Sequence, residues 1–366
     1  MTRRGWCPTL FEPMQSGDGL LVRVKPPGGR LAPQQAQALA AAAARDGNGA
    51  IELTARANIQ VRGLSAASAP HFARAMVEAG LAVADVAAER RRSVAVAPLA
   101  DVATIAVASA LEARLVADSS LAALPGKFGF AVAVPAMSAD VRLHRADGVW
   151  LVWPDGAAVA VLSDDPAGDA VRLAHGFLAV APGAKRMRDA PAAPVFAAAG
   201  LRAAVAVPET DAPRVVGPFD AGFGVGLPFG AMDAQTLAAL AACGTLWVTP
   251  WRAVVGPPGC AALAVALGLI VDPTDPRRAV AACPGRPACM AALADVRADA
   301  ATLAQRFPGL ALHVSGCAKG CAHPGPAAVT LVAGADGYAL VREGNAAATP
   351  LRRGLTLEAA AAMISA

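Results

Sequence analysis

The sequence predicts an α+β fold that is internally duplicated. Helical and extended patterns alternate along the 366 residues, and the turn-forming residues Gly and Pro occur 35 and 29 times, which excludes an all-helical bundle. The same order of patterns recurs in the second half, where Thr249 matches Thr54 and Pro284 matches Pro98. Self-similarity over so long a stretch indicates that one α+β unit has been duplicated.

Each half begins with a small strand–helix–strand–helix unit. Apolar residues that alternate with polar ones predict the strands, and Ala-rich runs that end at Gly predict the helices. In the first half the predicted elements are a strand at 20–25, a helix at 34–45, a strand at 51–54 and a helix that ends at 79–81. In the second half they are a strand at 222–227, a helix at 233–242, a strand at 246–249 and a helix that ends at 267–269.

Each half continues with a larger unit that contains hairpins. Arg91–Pro98 is matched by Arg277–Pro284, and Asp147-Gly148 and Asp336-Gly337 are typical hairpin turns. We therefore predict four units, at 1–85, 86–210, 211–272 and 273–366, with a Pro- and Ala-rich connection between the halves at 182–218. Two related halves place a cleft between them, where a ligand would contact both.

Composition and charge narrow the function classes. The net charge of +4 is too small to indicate nucleic-acid binding, and we expect no such partner. Of the 32 basic residues 28 are Arg, which is explained either by a GC-rich genome or by binding of a polycarboxylate. The uncharged stretch at 253–271 is interrupted by Gly256-Pro257-Pro258-Gly259, so it predicts no membrane span. We expect a cytoplasmic protein.

Four of the seven cysteines form two pairs in the second half. Cys283 and Cys289 are separated by five residues, and Cys317 and Cys321 by three. In a cytoplasmic chain such thiols indicate a metal or redox role, and four of them are the ligand set of a [4Fe–4S] cluster. A zinc site and four unrelated buried cysteines are the alternatives. Cys243 and Cys260 lie in apolar surroundings that are typical of core residues, and Cys7 is unassigned.

This cysteine arrangement, in the second of two duplicated halves, resembles the sulfite and nitrite reductase hemoprotein superfamily. The resemblance covers nearly the whole chain. It implies two ferredoxin-like half-units plus two larger α+β units around a central cofactor cleft. It also implies a [4Fe–4S] cluster on Cys283, Cys289, Cys317 and Cys321, with Cys321 shared with the iron of siroheme.

Basic residues of the first half carry the rest of the resemblance. Thr54-Ala-Arg56-Ala-Asn58-Ile-Gln60 resembles the anion-binding Thr-x-Arg-x-x-x-Gln segment of that superfamily, and Arg92-Ser-Val94 resembles its Arg-Asn-Val segment. Leu124-Pro-Gly-Lys127-Phe-Gly129 resembles its Pro-x-Lys-Phe-Lys segment, with Gly129 in place of the second lysine. The resemblance thus implies that Arg56, Arg92 and Lys127 line the cleft. Arg62 is a further candidate for a substrate carboxylate.

Within the superfamily, the short chain, Trp6-Cys7-Pro8 and Lys127-Phe-Gly129 are similar to the precorrin-3B synthases. That similarity implies oxygen-dependent hydroxylation of precorrin-3A at C20 with closure of a γ-lactone, in aerobic cobalamin biosynthesis. The expected partners are an acidic tetrapyrrole, dioxygen and an electron donor, either NADH through a reductase or a ferredoxin. The iron that activates dioxygen would be siroheme or a mononuclear non-haem centre. A siroheme-dependent sulfite or nitrite reductase and a non-enzymatic iron–sulfur electron carrier are the alternatives.

Overall fold

The computed structural model describes residues 8–134, 136–209 and 213–365, so that Trp6 and Cys7 lie outside the described residues. Its helices are α1 (Pro33–Asp46), α2 (Ser68–Glu78), α3 (Val86–Arg91), α4 (Val102–Ala117), α5 (Pro166–Val180), α6 (Ala192–Ala198), α7 (Ala234–Ala241), α8 (Cys260–Ala266), α9 (Val296–Arg306) and α10 (Leu357–Ser365). The strands of the first half are β1 (Met14–Ser16), β2 (Gly19–Val24), β3 (Arg30–Leu31), β4 (Ala50–Leu53), β5 (Ile59–Leu64), β6 (Val94–Val96), β7 (Phe130–Val132), β8 (Val141–Ala146), β9 (Val149–Pro154), β10 (Val159–Ser163) and β11 (Val205–Ala206). Those of the second half are β12 (Gly217–Phe219), β13 (Gly222–Gly226), β14 (Ala231–Asp233), β15 (Leu246–Val248), β16 (Ala253–Gly256), β17 (Val280–Ala282), β18 (Leu312–Ser315), β19 (Ala327–Gly334), β20 (Gly337–Gly344) and β21 (Arg352–Leu355).

The two large sheets show the duplication most directly. The first has the strand order β11-β10-β9-β8-β7-β6 and the second the order β17-β18-β19-β20-β21. In each, three parallel strands are followed by antiparallel hairpin strands, and a helix follows β10 in the first sheet and β21 in the second. The hairpin turns predicted at Asp147-Gly148 and Asp336-Gly337 join β8 to β9 and β19 to β20, as expected.

The two small sheets exchange an edge strand between the halves. β3 of the first half pairs with β15 of the second, through Leu31 opposite Leu246. β14 of the second half pairs with β4 of the first, through Met232 opposite Ile51. The exchange gives the halves a shared core, in which α1 packs on α7 beneath both sheets. The predicted unit boundaries remain predictions. β3 and β14 each lie inside one predicted unit but pair with a strand of another.

Side-chain alternation gives each small sheet one apolar and one polar face. On β2 and β5, Val22, Val24 and Val61 are fully buried against the helices. Their neighbours Arg23 and Gln60, which pair across the two strands, lie on the opposite face. This polar face is the one against which the large units pack.

The connection between the halves is more ordered than its composition suggests. Within 182–218, α6 packs on α5, and β11 adds to the large sheet beside β10. Gly176 on α5 makes the close approach possible, because a Cβ there would lie 2.6 Å from the carbonyl oxygen of Val195. No helix in the described part of the chain is long and apolar enough to cross a bilayer.

Candidate functional site

The four cysteines lie on two loops at the carboxyl ends of neighbouring parallel strands. Cys283 follows β17 directly and Cys289 lies farther along the same loop, whereas Cys317 and Cys321 follow β18. The loops contact each other, since the Gly316 amide donates to Cys283 Sγ at 3.3 Å and the Leu293 amide donates to the Gly316 carbonyl at 2.9 Å. Strand order thus brings cysteines that are distant in sequence to one edge of the sheet.

The four thiols lie close enough to influence one another electrostatically. The pKa of the Cys321 thiol is raised by burial and then by Cys317, Cys283 and Cys289, whereas Lys319 opposes the shift. Cys283 is buried, Cys289 and Cys317 are half-buried, and Cys321 is exposed. The set therefore runs from the core of the unit to its surface, and Cys321 is the thiol that a ligand outside the unit can reach.

Glycines shape both loops. Gly285 and Gly320 have φ angles of +70° and +60°, a left-handed conformation that other residues adopt at a cost. Gly316 lies against the other loop, where a Cβ would come within 2.7 Å of the Ala292 side chain and 3.4 Å of Cys283 Sγ. Tight turns and close backbone approach let both loops wrap closely around one site.

The thiol set fits an iron–sulfur cluster. Among the described residues, no group of three or more His, Cys, Asp or Glu side chains is arranged to hold a metal ion directly. A [4Fe–4S] cluster needs four thiolates spread around an inorganic core, with amide donors near the sulfurs. Four neighbouring thiols on glycine-shaped loops, one already accepting an amide hydrogen bond, match that requirement.

Arg56 and Lys127 lie together at the other end of the small sheet. Arg56 Nη1 donates to the Lys127 carbonyl oxygen at 2.5 Å. Both residues line one small pocket, together with Ser93, Ala95, Gly129, Phe130 and residues 137–140. This pocket lies at the amino ends of the parallel strands β6, β7 and β8. The cysteine loops instead follow the carboxyl ends of β17 and β18, the second-half equivalents of β6 and β7.

Asp140 holds the backbone beside the basic pocket in place through hydrogen bonds. Its fully buried carboxylate accepts from the Gly129 amide at 3.0 Å, the Met187 amide at 2.9 Å and Arg186 Nε at 2.9 Å. The backbone between Lys127 and β7 is thus held in place, while the Lys127 side chain is exposed.

Arg92 is placed inside the protein. Its guanidinium contacts the Glu89 carboxylate at 3.0 Å and donates to the carbonyl oxygens of Lys25 and Leu81 at 2.7 and 3.0 Å. Lys25 is beside this pair, and burial lowers its pKa to about 8 although Glu89 opposes the shift. These contacts fasten the first large unit to β2. A role of Arg92 toward substrate remains a prediction.

Arg62 is also buried, but it lies beside the cysteines rather than beside Arg56. Its guanidinium binds the Asp18 carboxylate at 2.9 and 3.0 Å and donates to the Ala288 carbonyl at 2.6 Å. Arg56 and Arg62 are at opposite ends of the β4–β5 hairpin, a separation of about 20 Å at strand rise. One hairpin thus joins the basic pocket to the loop that carries Cys289. The role predicted for Arg62 toward substrate is untested.

Further donors on the polar face were not identified from sequence. The Nε atoms of Arg23, Arg30 and Arg297 and Nε1 of Trp247 are buried and have no hydrogen-bond partner among the described residues. Arg30 also stacks over Trp247, at 5.8 Å from the ring centre. The signal for Arg23 and Arg30 is strand alternation, since Arg23 follows Val22 and Arg30 precedes Leu31, two apolar residues that are buried in the core. Arg297 carries no such signal.

Comparison with known proteins gives three findings. A family model for the nitrite/sulfite reductase ferredoxin-like half domain matches residues 12–79. A precorrin-3B synthase from Sinorhizobium sp. is 35% identical over an alignment that covers 95% of this chain and 84% of that protein. The solved structure of the NirA protein of Mycobacterium tuberculosis superposes with a TM-score of 0.70 at 18% identity, covering 94% of this chain and 79% of that one. The last finding bears on the fold alone and agrees with the predicted architecture.

Proposed function

The chain belongs to the precorrin-3B synthase family and is an oxidoreductase, and we propose that it hydroxylates precorrin-3A at C20 by way of an iron–sulfur centre on its four cysteines. One atom of dioxygen enters the substrate, where a γ-lactone then closes. Two electrons from a donor, together with two protons, reduce the other atom to water. The donor would be NADH through a separate reductase, or a ferredoxin. The observation that carries the proposal is the meeting of four thiols beside a small sheet with an arginine-rich polar face.

Cys283, Cys289, Cys317 and Cys321 would hold the cluster. When bound, a [4Fe–4S] cluster supplies single electrons to the iron that activates dioxygen, which is siroheme or a mononuclear non-haem centre. Lys319, between Cys317 and Cys321, favours the thiolate form of Cys321. The exposed position of Cys321 supports its predicted role as the ligand that is shared with the iron of siroheme.

Arg56 and Lys127 would bind substrate carboxylates at the other end of the hairpin. The Lys127 ammonium is exposed, and Arg56 is half-buried at the pocket wall, where a guanidinium can pair with a carboxylate. The unpartnered Nε–H groups of Arg23 and Arg30 supply further donors on the same face of the small sheets. Buried donors without acceptors are costly, and carboxylates of a bound tetrapyrrole would satisfy them.

Gly129 separates the proposed reaction from oxyanion reduction. A reductase of the superfamily places a second lysine at this position, and the positive charge stabilises the bound oxyanion. Here the Cβ that a lysine would add meets the Ser93 hydroxyl at 3.3 Å. The pocket therefore carries one positive charge fewer than that of such a reductase, which favours the proposed reaction over sulfite or nitrite reduction.

Turnover in the presence and absence of air tests the proposal. The iron-loaded protein is incubated with precorrin-3A and a reductant, and products are followed by mass spectrometry. An oxygen-dependent gain of one oxygen atom supports the proposal. Sulfide or ammonia formed from sulfite or nitrite would favour a reductase, and no turnover of any of these would favour an electron carrier. The visible spectrum shows in the same sample whether siroheme is bound.

Arg56→Gln tests the substrate side. We expect substrate affinity to fall about tenfold to a hundredfold, the loss of one charge-assisted pair, with iron content unchanged. The measurement is substrate binding by fluorescence or absorbance titration. Arg45→Gln is the matched control, because Arg45 is exposed on α1 and pairs with its neighbour Asp46. Unchanged affinity of the Arg56 variant would remove Arg56 from the site.

A further inference from the structure

A single backbone carbonyl next to Cys289 receives three hydrogen bonds from the other half of the chain. The carbonyl is that of Ala288, and its donors are Arg62 Nη2 at 2.6 Å, Ser16 Oγ at 2.8 Å and the Gly17 amide at 3.2 Å. All three donors come from the first small sheet. A carbonyl oxygen has two lone pairs, so this one is fully engaged.

The turn between β1 and β2 fits against the cysteine loop without room for a side chain. A Cβ on Gly17 would lie 2.7 Å from the Pro287 carbonyl oxygen and 2.8 Å from the Met290 amide. Those two residues flank Ala288 and Cys289. The loop is thus held by backbone packing as well as by hydrogen bonds.

Arg62 is itself locked in place. Its side chain is only 4% exposed, and its Nε and Nη2 donate hydrogen bonds to the two carboxylate oxygens of Asp18. Its Nη2 also donates to Ser16 Oγ at 2.8 Å, and Glu52 lies 3.5 Å from Nη1. Because two acidic groups contact its guanidinium, Arg62 has little freedom to turn toward a ligand.

The same network holds the far end of the cysteine loop. Glu52 pairs with Arg297 on α9 at 2.5 Å, and α9 begins directly after the loop that carries Cys283 and Cys289. Glu52 on β4 therefore links two arginines. One is Arg62, which contacts Ala288, and the other is Arg297 in the first turn of α9. The loop is fastened to the first half at two points.

We infer that Arg62 is a positioning residue for Cys289: it holds the loop of the second half in the conformation that directs this thiol to the cluster. The inference rests on the proposed function, in which Cys289 is a cluster ligand. Hydrogen bonds behind a metal ligand fix its orientation, and their loss typically weakens metal retention about tenfold to a hundredfold. Arg62 would act from across the interface between the halves, so that the cluster forms in full only when they are docked.

Removal of the guanidinium has an electrostatic consequence as well. Asp18 would keep its negative charge beside the cysteine loop without the Arg62 guanidinium, whereas Glu52 would still pair with Arg297. Added negative charge near a cluster disfavours its reduced state, since reduction adds an electron. The reduction potential should therefore fall in a variant without the Arg62 charge.

The test compares Arg62→Gln, Arg62→Lys and Ser16→Ala with Arg56→Gln after anaerobic loading with iron and sulfide. We expect loss of cluster absorbance to a chelator to accelerate about tenfold or more in Arg62→Gln and by less in Ser16→Ala. Arg62→Lys should restore the reduction potential but not the rate of loss, because lysine keeps the charge and loses the two-pronged contact. Arg56→Gln should match wild type in both.

Two controls make the outcome decisive. Thermal unfolding of the unloaded proteins shows whether a variant folds, and Ser16→Ala tests the same carbonyl without removing a buried charge. If Arg62→Gln folds and retains its cluster at the wild-type rate, with an unchanged electron paramagnetic resonance spectrum, the positioning role is wrong while the proposed function stands. If wild type itself takes up no cluster, both are wrong, and the wild-type sample alone reveals it.

Discussion

At the scale of single residues, the arginines divide by what their guanidinium groups already hold. Arg92 and Arg62 are buried and hold carboxylates and backbone carbonyls of the protein. Arg23 and Arg30 keep a buried Nε–H without a partner among the described residues, and Arg56 borders a pocket. An arginine-rich composition thus serves two purposes, and sequence does not separate them, because the acceptor of each guanidinium depends on tertiary packing.

Cys317→Ser should remove the cluster. Serine is a poor ligand for iron in clusters, so iron should fall from about four atoms per chain to nearly none, and turnover should be lost. Iron and sulfide analysis after anaerobic loading measures this. Cys243→Ser is the matched control: Cys243 neighbours Cys260, whose pKa is raised to about 12 by burial and by Cys243 itself, far from the four ligands. Full iron content in Cys317→Ser would contradict the ligand assignment.

His313 should make stability depend on pH. It is fully buried beside His323, neither ring nitrogen has a partner among the described residues, and burial followed by His323 lowers its pKa from 6.5 to about 4. The unfolded chain therefore binds more protons at this site between these values, and the contribution of His313 to the free energy of unfolding should fall as the pH drops from 6.5 to 4 and level off below. Urea denaturation across this range measures it.

Replacement by an apolar residue isolates the contribution of His313. His313→Leu cannot be protonated, so the fall in unfolding free energy between pH 6.5 and 4 should shrink by up to about 3 kcal/mol. His175→Leu is the comparison, since His175 is partly exposed and pairs with Asp118. A pH profile of His313→Leu that matches wild type would show that His313 titrates normally.

At the scale of elements, the β4–β5 hairpin does most to organise the site. Its turn contacts Lys127 of the first large unit, and its open end contacts Ala288 of the second. The sequence predicts a strand at 51–54, which the structure confirms as β4 at 50–53, whereas it predicts no strand at the position of β5. The contacts at its two ends could not be predicted, because they join residues 71 and 226 positions apart in the chain.

Gly17→Ala should loosen the contact between the β1–β2 turn and the cysteine loop. The added methyl group would overlap the Pro287 carbonyl, which predicts a loss of about 1–3 kcal/mol in unfolding free energy and faster loss of iron. Gly259→Ala is the control, since a Cβ there meets nothing within 4 Å, and its effect should stay within about 0.5 kcal/mol. Equal stability and iron retention in the two variants would show that the turn tolerates a side chain.

At the scale of the whole molecule, the duplication could be predicted from the sequence because it preserves the order of elements, and the predicted hairpins and small-unit helices follow from local pattern. The strand exchange could not be predicted. β3 and β14 are two and three residues long, and each follows a turn with a left-handed residue, Gly28 or Phe229. So short a strand has no period of its own, and its partner is set by the docking of the halves.

The strand exchange predicts how the chain responds to a break between the halves. If the chain is cut between residues 209 and 213, the second fragment alone exposes β14 and the edge of β15 that β3 covers. It also lacks Ser16 and Arg62, which support the Cys289 loop. Co-expressed fragments should therefore copurify and load with iron, because pairing restores two strand contacts and one core.

The second fragment expressed alone should associate or precipitate and retain little iron. Affinity purification through a tag on one fragment, size-exclusion chromatography and iron analysis distinguish the cases. A monomeric second fragment with four irons would mean that the large unit builds the cluster site unaided. The first half would then serve only to bind substrate, and the exchanged strands would be a matter of stability rather than of cofactor assembly. Full iron only in the paired fragments would instead make docking of the halves a condition for forming the redox centre, with substrate pocket and cluster loop held in register by one hairpin.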